Sequence, residues 1–159
     1  MSILENIKSH EDLLNVPVDK LPELCAEIRA FLIASISRTG GHLASNLGTV
    51  ELSVALDRVY DPWRDRIVFD VGHQCYTHKL LTGRMDGFER LRHSGGVSGF
   101  PKPGESVTDA FIAGHASNSV AVALGMARAR TLRRENYEVC ALIGDGALTG
   151  GLAYEGLSN

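Results

Sequence analysis

The sequence predicts an α/β fold in which a parallel sheet is flanked by helices. Three observations carry that prediction. The 159 residues are 44% hydrophobic and 22% charged, near globular averages, which suits one domain with a buried core. In the second half, short apolar runs alternate with stretches of helical composition, as in parallel βαβ units. Three apolar runs each end in glycine followed by an ionisable residue: Gly72-His73, Gly114-His115 and Gly144-Asp145.

The elements follow in order. A helix is predicted from about Asp19 to Ser35, because Leu21, Leu24, Cys25, Ile28, Phe31 and Leu32 recur at three- and four-residue steps. Asp19 is placed to cap it, and Pro22 is tolerated in a first turn. Arg38 to Gly48 reads as a glycine-rich loop. A second helix runs from Thr49 to Val59 and stops before Asp61-Pro62, since the residue preceding proline avoids helical geometry. Ile67 to Phe69 is the first strand. Residues 91–106, dense in glycine and holding Pro101 and Pro103, form a loop. Ala110 to Ala113 is read as a second strand. Asn118 to Leu132 is helical, and Ala121, Ala123, Gly125, Ala127 and Ala129 allow it to pack close to a neighbour. Val139 to Ile143 is the third strand, leading through Gly144-Asp145-Gly146 into a last helix opening at Ala147 and Leu148.

The net charge of -3, with scattered basic residues, gives no electrostatic reason to expect nucleic acid or an anionic membrane as partner. Cys25, Cys75 and Cys140 lie far apart and form no Cys-x-x-Cys pair, which argues against a disulfide framework or a structural zinc site. The first twenty residues lack a basic region followed by an apolar one, so no signal peptide is read there. No apolar run approaches the roughly 20 residues that span a bilayer. A reducing cytoplasm is the expected location.

In an open parallel sheet, ligands bind at the carboxyl ends of the strands. His73, His115 and Asp145 are therefore candidates for one ligand. A helix opening at Ala147 would present free N–H groups that attract an anion such as phosphate. A bare carboxylate beside phosphate would be repelled unless a cation lay between them. Magnesium takes one or two carboxylates together with phosphate oxygens, so Asp145 is read as a magnesium ligand facing a diphosphate. Taken alone, a Gly-Asp-Gly after a strand is more often an ordinary turn, and a single histidine is more often structural. A zinc cluster of His42, His73, His78 and His115 would fit no standard spacing.

Five stretches in this order resemble one family: SRTGGHLASNLGTVELSVAL, FDVGHQCYTHKLLTGR, GGVSGFPKPGES, AGHASNS and IGDGALTGG. The family is 1-deoxy-D-xylulose-5-phosphate synthase, a thiamine-diphosphate enzyme related to transketolase. The resemblance runs from about Leu21 to Asn159. GHLASNLG, and GGVSGFPKPGES leading into GHAS, resemble the synthase and not transketolase.

The resemblance implies a transketolase-like, thiamine-diphosphate-binding fold, with residues 1–159 as an amino-terminal diphosphate-binding domain incomplete on its carboxy-terminal side. It implies an activity that joins pyruvate to glyceraldehyde 3-phosphate with loss of carbon dioxide, giving a precursor of isoprenoids, thiamine and pyridoxal. Asp145 resembles the family's magnesium ligand, and Gly146 and Ala147 its backbone contacts to the diphosphate. His73 and the Gly114-His115-Ala116 turn resemble cofactor contacts. His42 resembles the histidine that assists substrate binding and proton transfer. Asn118 stands where the family would have Thr or Ser, a departure confined to a helix start that asparagine also caps well.

The family's asparagine that completes the metal site, and its glutamate that activates the cofactor, are implied to lie beyond Asn159. This stretch alone is therefore expected to be inactive, with the remainder of the same enzyme as partner and a homodimer when complete. A non-catalytic fragment, or a split transketolase-like subunit needing a second chain, stays open as the alternative.

Overall fold

The computed structural model describes residues 2–159. Its packing divides the chain into two units, Met1–Asp61 with His73–Gly99, and Pro62–Gly72 with Phe100–Asn159.

The first unit is helical. After a 3₁₀ turn at Leu4–Asn6 comes α1 (His10–Leu14). Its start is a capping box: Ser9 Oγ accepts the Asp12 N–H at 3.2 Å, and Asp12 Oδ2 accepts the Ser9 N–H at 2.9 Å. A second 3₁₀ turn, Val18–Lys20, leads into α2 (Leu21–Thr39), so the helix predicted from Asp19 begins two residues later and runs four residues longer. Asp19 does not cap it; the cap position is Lys20, with no side-chain bond. Leu24, Cys25, Ile28, Leu32 and Ile36 are buried along one face, each of the large aliphatic ones contributing about 1.5–3 kcal/mol relative to exposure.

The loop expected from Arg38 to Gly48 contains a short helix, α3 (Leu43–Leu47), followed by α4 (Val50–Val59), which matches its prediction within one residue. Later in the chain, α5 (Tyr76–Leu81) is buried throughout, and a 3₁₀ turn spans Met85–Arg90. The α5 helix is fixed to α4 by a buried pair: His78 Nδ1 lies 2.9 and 3.0 Å from Asp57 Oδ1 and Oδ2. Since an ionised carboxylate only accepts, Nδ1 carries the proton in this pair.

The second unit holds the sheet. Strands β1 (Arg66–Phe69) and β2 (Val139–Leu142) pair in parallel, with Arg66 opposite Val139 and Phe69 opposite Leu142. Buried aspartates stand at both ends of β1. Asp65 Oδ1 accepts the Glu138 N–H at 2.9 Å, and at the other end the Asp70 N–H donates to Leu142 O at 2.7 Å. Helix α6 (Ser119–Arg133) packs on both strands, as its run of small residues predicts. A one-turn helix, α7 (Asp145–Leu148), and then α8 (Gly151–Ser158) complete the chain. α8 packs against α6 at Gly156, where a Cβ would come within 2.8 Å of the Ala121 nitrogen.

Two expectations need correction here. Ala110 to Ala113 is not a strand, so His115 follows an irregular segment. An apolar run becomes a strand only with a ladder partner, and among the described residues the sheet has two strands, β1 and β2; Ile112 is 61% exposed. The last helix does not open at Ala147 but is broken in two. Thr149 and Gly150 separate α7 from α8, with Gly150 extended at φ -73° and ψ 144°; a Cβ at Gly150 would meet Ser117 Oγ at 2.2 Å.

Candidate functional site

In the first unit the backbone turns at Gly40 (φ 74°) and Gly41 (φ 148°), which leaves His42 at the start of α3 in an extended conformation. A Cβ at Gly41 would also be crowded, meeting the Tyr76 hydroxyl at 3.2 Å. The turn brings His42 to His73, their ring centroids 5.2 Å apart and edge to face at 71°. Asn46, fully buried one turn along α3, ties the backbones of both. Its Nδ2 donates to His42 O at 2.6 Å and to His73 O at 2.8 Å, and its Oδ1 accepts the Tyr76 N–H at 2.9 Å. Burial, and then the positive charges of His73 and Arg92, hold the His42 imidazole below the ordinary histidine value. The neutral ring is therefore the prevalent form near pH 7. The buried His73 Nδ1 has no hydrogen-bond partner among the described residues, a polar atom left for a ligand to satisfy.

In the second unit β2 delivers the chain to Gly144 and then to Asp145, the first residue of α7. Asp145 is exposed, and its carboxylate makes no hydrogen bond or ion pair among the described residues. A Cβ at Gly144 or Gly146 would meet nothing within 4 Å, so the backbone on either side of Asp145 is open to close approach. Ala147 is half-buried just behind it. The turn Gly114-His115-Ala116 is exposed as well, with Gly114 at φ 154° and open space where a side chain would be.

The support beneath these two turns was not legible in the sequence. The Asp70 carboxylate, at the end of β1, accepts the Ser117 N–H at 2.8 Å on Oδ1 and the Ser119 N–H at 2.9 Å on Oδ2. It thereby caps α6 in place of Asn118, whose side chain makes no cap bond and whose Oδ1 is buried without a hydrogen-bond partner among the described residues. Ser117 is left-handed (φ 77°) and its Oγ accepts the Ala153 N–H of α8 at 3.0 Å. The sequence signal was available only as an acid closing an apolar run, Phe69-Asp70; the partner lies 47 and 49 residues away.

The structure thus brings together His42 with His73, and separately supports Gly114, His115 and Ala116 on the same scaffold as Asp145, Gly146 and Ala147. His78 is engaged with Asp57, and among the described residues no group of three or more His, Cys, Asp or Glu is arranged to hold a metal. The zinc cluster finds no support. A magnesium ion that takes most of its ligands from phosphate and water needs only one or two protein carboxylates, and the single exposed Asp145 carboxylate between open glycines fits such a group.

A family model described as 1-deoxy-D-xylulose-5-phosphate synthase matches residues 4–159. Curated relatives carry the same name. That of Clostridium acetobutylicum is 54% identical over 158 residues, covering 99% of this chain and 26% of the relative. A synthase of Geobacter sulfurreducens is 57% identical over 157 residues, covering 99% and 25%. That of Azobacteroides pseudotrichonymphae is 56% identical over 158 residues, covering 99% and 25%. The chain spans about a quarter of the length of the curated relatives it matches. With similarity this high over its whole length, and all five motif stretches inside the matched region, the chain belongs to the 1-deoxy-D-xylulose-5-phosphate synthase family.

Proposed function

We propose that this chain is the amino-terminal part of a transferase that joins pyruvate to glyceraldehyde 3-phosphate, with loss of carbon dioxide, to give 1-deoxy-D-xylulose 5-phosphate. The observation that carries this reading is the match of almost the whole chain, at 54–57% identity, to relatives bearing that name. The remainder of the same enzyme is its partner, the complete protein is a homodimer, and the setting is cytoplasmic. Among the described residues no helix is long and apolar enough to cross a membrane.

Thiamine diphosphate, when bound, supplies the carbon nucleophile and the electron sink that decarboxylation of pyruvate requires. The chain's own residues bind and orient. Asp145 is the carboxylate that would hold Mg²⁺, and the backbones of Gly146 and Ala147 would take the diphosphate. Gly114, His115, Ala116 and His73 would make further cofactor contacts, with the unpartnered His73 Nδ1 supporting that role. His42, neutral near pH 7, would hold and return a proton during addition of the aldehyde.

The test is calorimetric titration of full-length protein carrying this segment with thiamine diphosphate and magnesium. Asp145→Ala should abolish magnesium-dependent binding while leaving the circular dichroism spectrum unchanged. Undiminished affinity in that variant would refute the metal assignment.

A further inference from the structure

We propose that Asp70 is a positioning residue that sets the spacing between the Gly114–Ala116 turn and the Gly144–Ala147 turn; the inference rests on the reading of these turns as the diphosphate and magnesium site. Asp70 is 1% exposed, so it lies beneath the exposed Gly114–Ala116 turn and not on the surface with it. Its backbone and its side chain hold one turn each. The backbone N–H extends the β1–β2 ladder by one bond, to Leu142 O at 2.7 Å, and so fixes the exit of β2 three residues before Asp145. Both carboxylate oxygens are used on the other turn, on the N–H groups of Ser117 and Ser119 at 2.8 and 2.9 Å. Ser117 immediately follows Ala116. Its hydroxyl then accepts the Ala153 N–H, which closes the loop back to the helix that follows α7.

The backbone around Asp70 argues that this geometry is imposed. Val71, a β-branched residue, has φ 58°, and Ser117 has φ 77°, both in the left-handed region where non-glycine residues are strained. Gly72 follows at φ 88°, and its N–H donates back to Asp70 O at 2.6 Å. Such conformations persist only where surrounding bonds over-determine them. Here the two carboxylate bonds are made at the left-handed Ser117 and at the first residue of α6. A generic helix cap from Asn118 would satisfy α6 without tying it to β1. A carboxylate from the end of β1 caps the helix and fixes its start to the strand in one step.

Asp70→Asn is isosteric and keeps one acceptor while turning an NH₂ against the other N–H donor. Asp70→Ala removes both. In full-length protein, well below the melting temperature, the thiamine diphosphate dissociation constant should rise about ten-fold for D70N and about a hundred-fold for D70A, the order expected for one and two charge-assisted buried bonds. Hydrogen exchange at the Ser117 and Ser119 amides should accelerate in both, with or without cofactor. A merely structural aspartate would lower the melting temperature yet leave cofactor affinity unchanged in the folded variant. If D70A does not fold, D70N decides alone. D70N binding cofactor as tightly as the unmodified protein overturns the inference. If the unmodified protein binds no thiamine diphosphate, the reading of function falls and this inference with it.

Discussion

Removing the Asn46 side chain should cost more than any surface substitution and should disturb both histidines at once. Asn46→Ala deletes three hydrogen bonds, to His42 O, His73 O and the Tyr76 N–H. They are not equal. Tyr76 is fully buried, so its N–H is left without a partner, at about 1–3 kcal/mol. The two carbonyls belong to half-buried residues and can recruit water, which reduces each loss to about 0.5–1.5 kcal/mol. The sum is about 2–6 kcal/mol, a large part of the roughly 5–15 kcal/mol that holds a typical domain. Urea denaturation measures it directly, and the ring resonances of His42 and His73 should both move. Asn46→Asp separates donor from acceptor. It keeps an oxygen for the Tyr76 N–H but sets a carboxylate against two carbonyls, so it should be no more stable than Asn46→Ala. A loss below about 1 kcal/mol for Ala, or native stability for Asp, would refute the assignment of Asn46 as the tie between the histidines.

Gly72→Ala should destabilise by about 2–5 kcal/mol, adding a positive-φ penalty to overpacking. Its Cβ would fall 2.5 Å from Pro101 Cδ and 2.9 Å from Ala113 Cβ, and a thermal melt checks it. His42 should titrate below 6.5 by NMR, because burial and the His73 and Arg92 charges oppose its protonation. The unfolded chain then binds the proton first, so stability is fully present above the unfolded value and falls as pH drops from there to the folded value; a rise over that window would reverse the sign. In full-length protein, His42→Ala should leave cofactor affinity nearly intact and slow turnover by about 10²–10⁴-fold, and normal turnover would remove it from proton transfer.

What the sequence discloses divides by range. The helices α2, α4 and α6 and the strands β1 and β2 are legible because each carries its own periodicity or apolar run over enough residues. α1 was missed although Ser9 and Asp12 form a capping box, because five residues offer no period to read. α3 and α5 were missed for a different reason. They are short, and Asn46 and Tyr76 hold them to each other through a contact 30 residues apart in the chain. The error at Ala110–Ala113 has the same root, since an apolar run does not say whether a partner strand lies alongside it. The requirement for glycine at position 150 also depends on a distant residue, Ser117.

The candidate site divides in the same way. His42, His73, His115 and Asp145 can be picked out in the sequence because each directly follows a glycine, and for His73, His115 and Asp145 that glycine closes an apolar run. Asn46 and Asp70 do not, because a buried polar side chain has no local signature; its reason for being there is a set of backbone groups tens of residues away. Reading motifs therefore finds candidate ligand-facing groups and overlooks the buried groups that hold the turns carrying them. A variant altered only at Asn46 or Asp70 would keep every candidate ligand-facing residue intact. On the geometry described here it would still lose the alignment of His42 with His73, or of the Gly114 turn with Asp145, and chemistry that depends on positioning would fail with its nominal residues all in place.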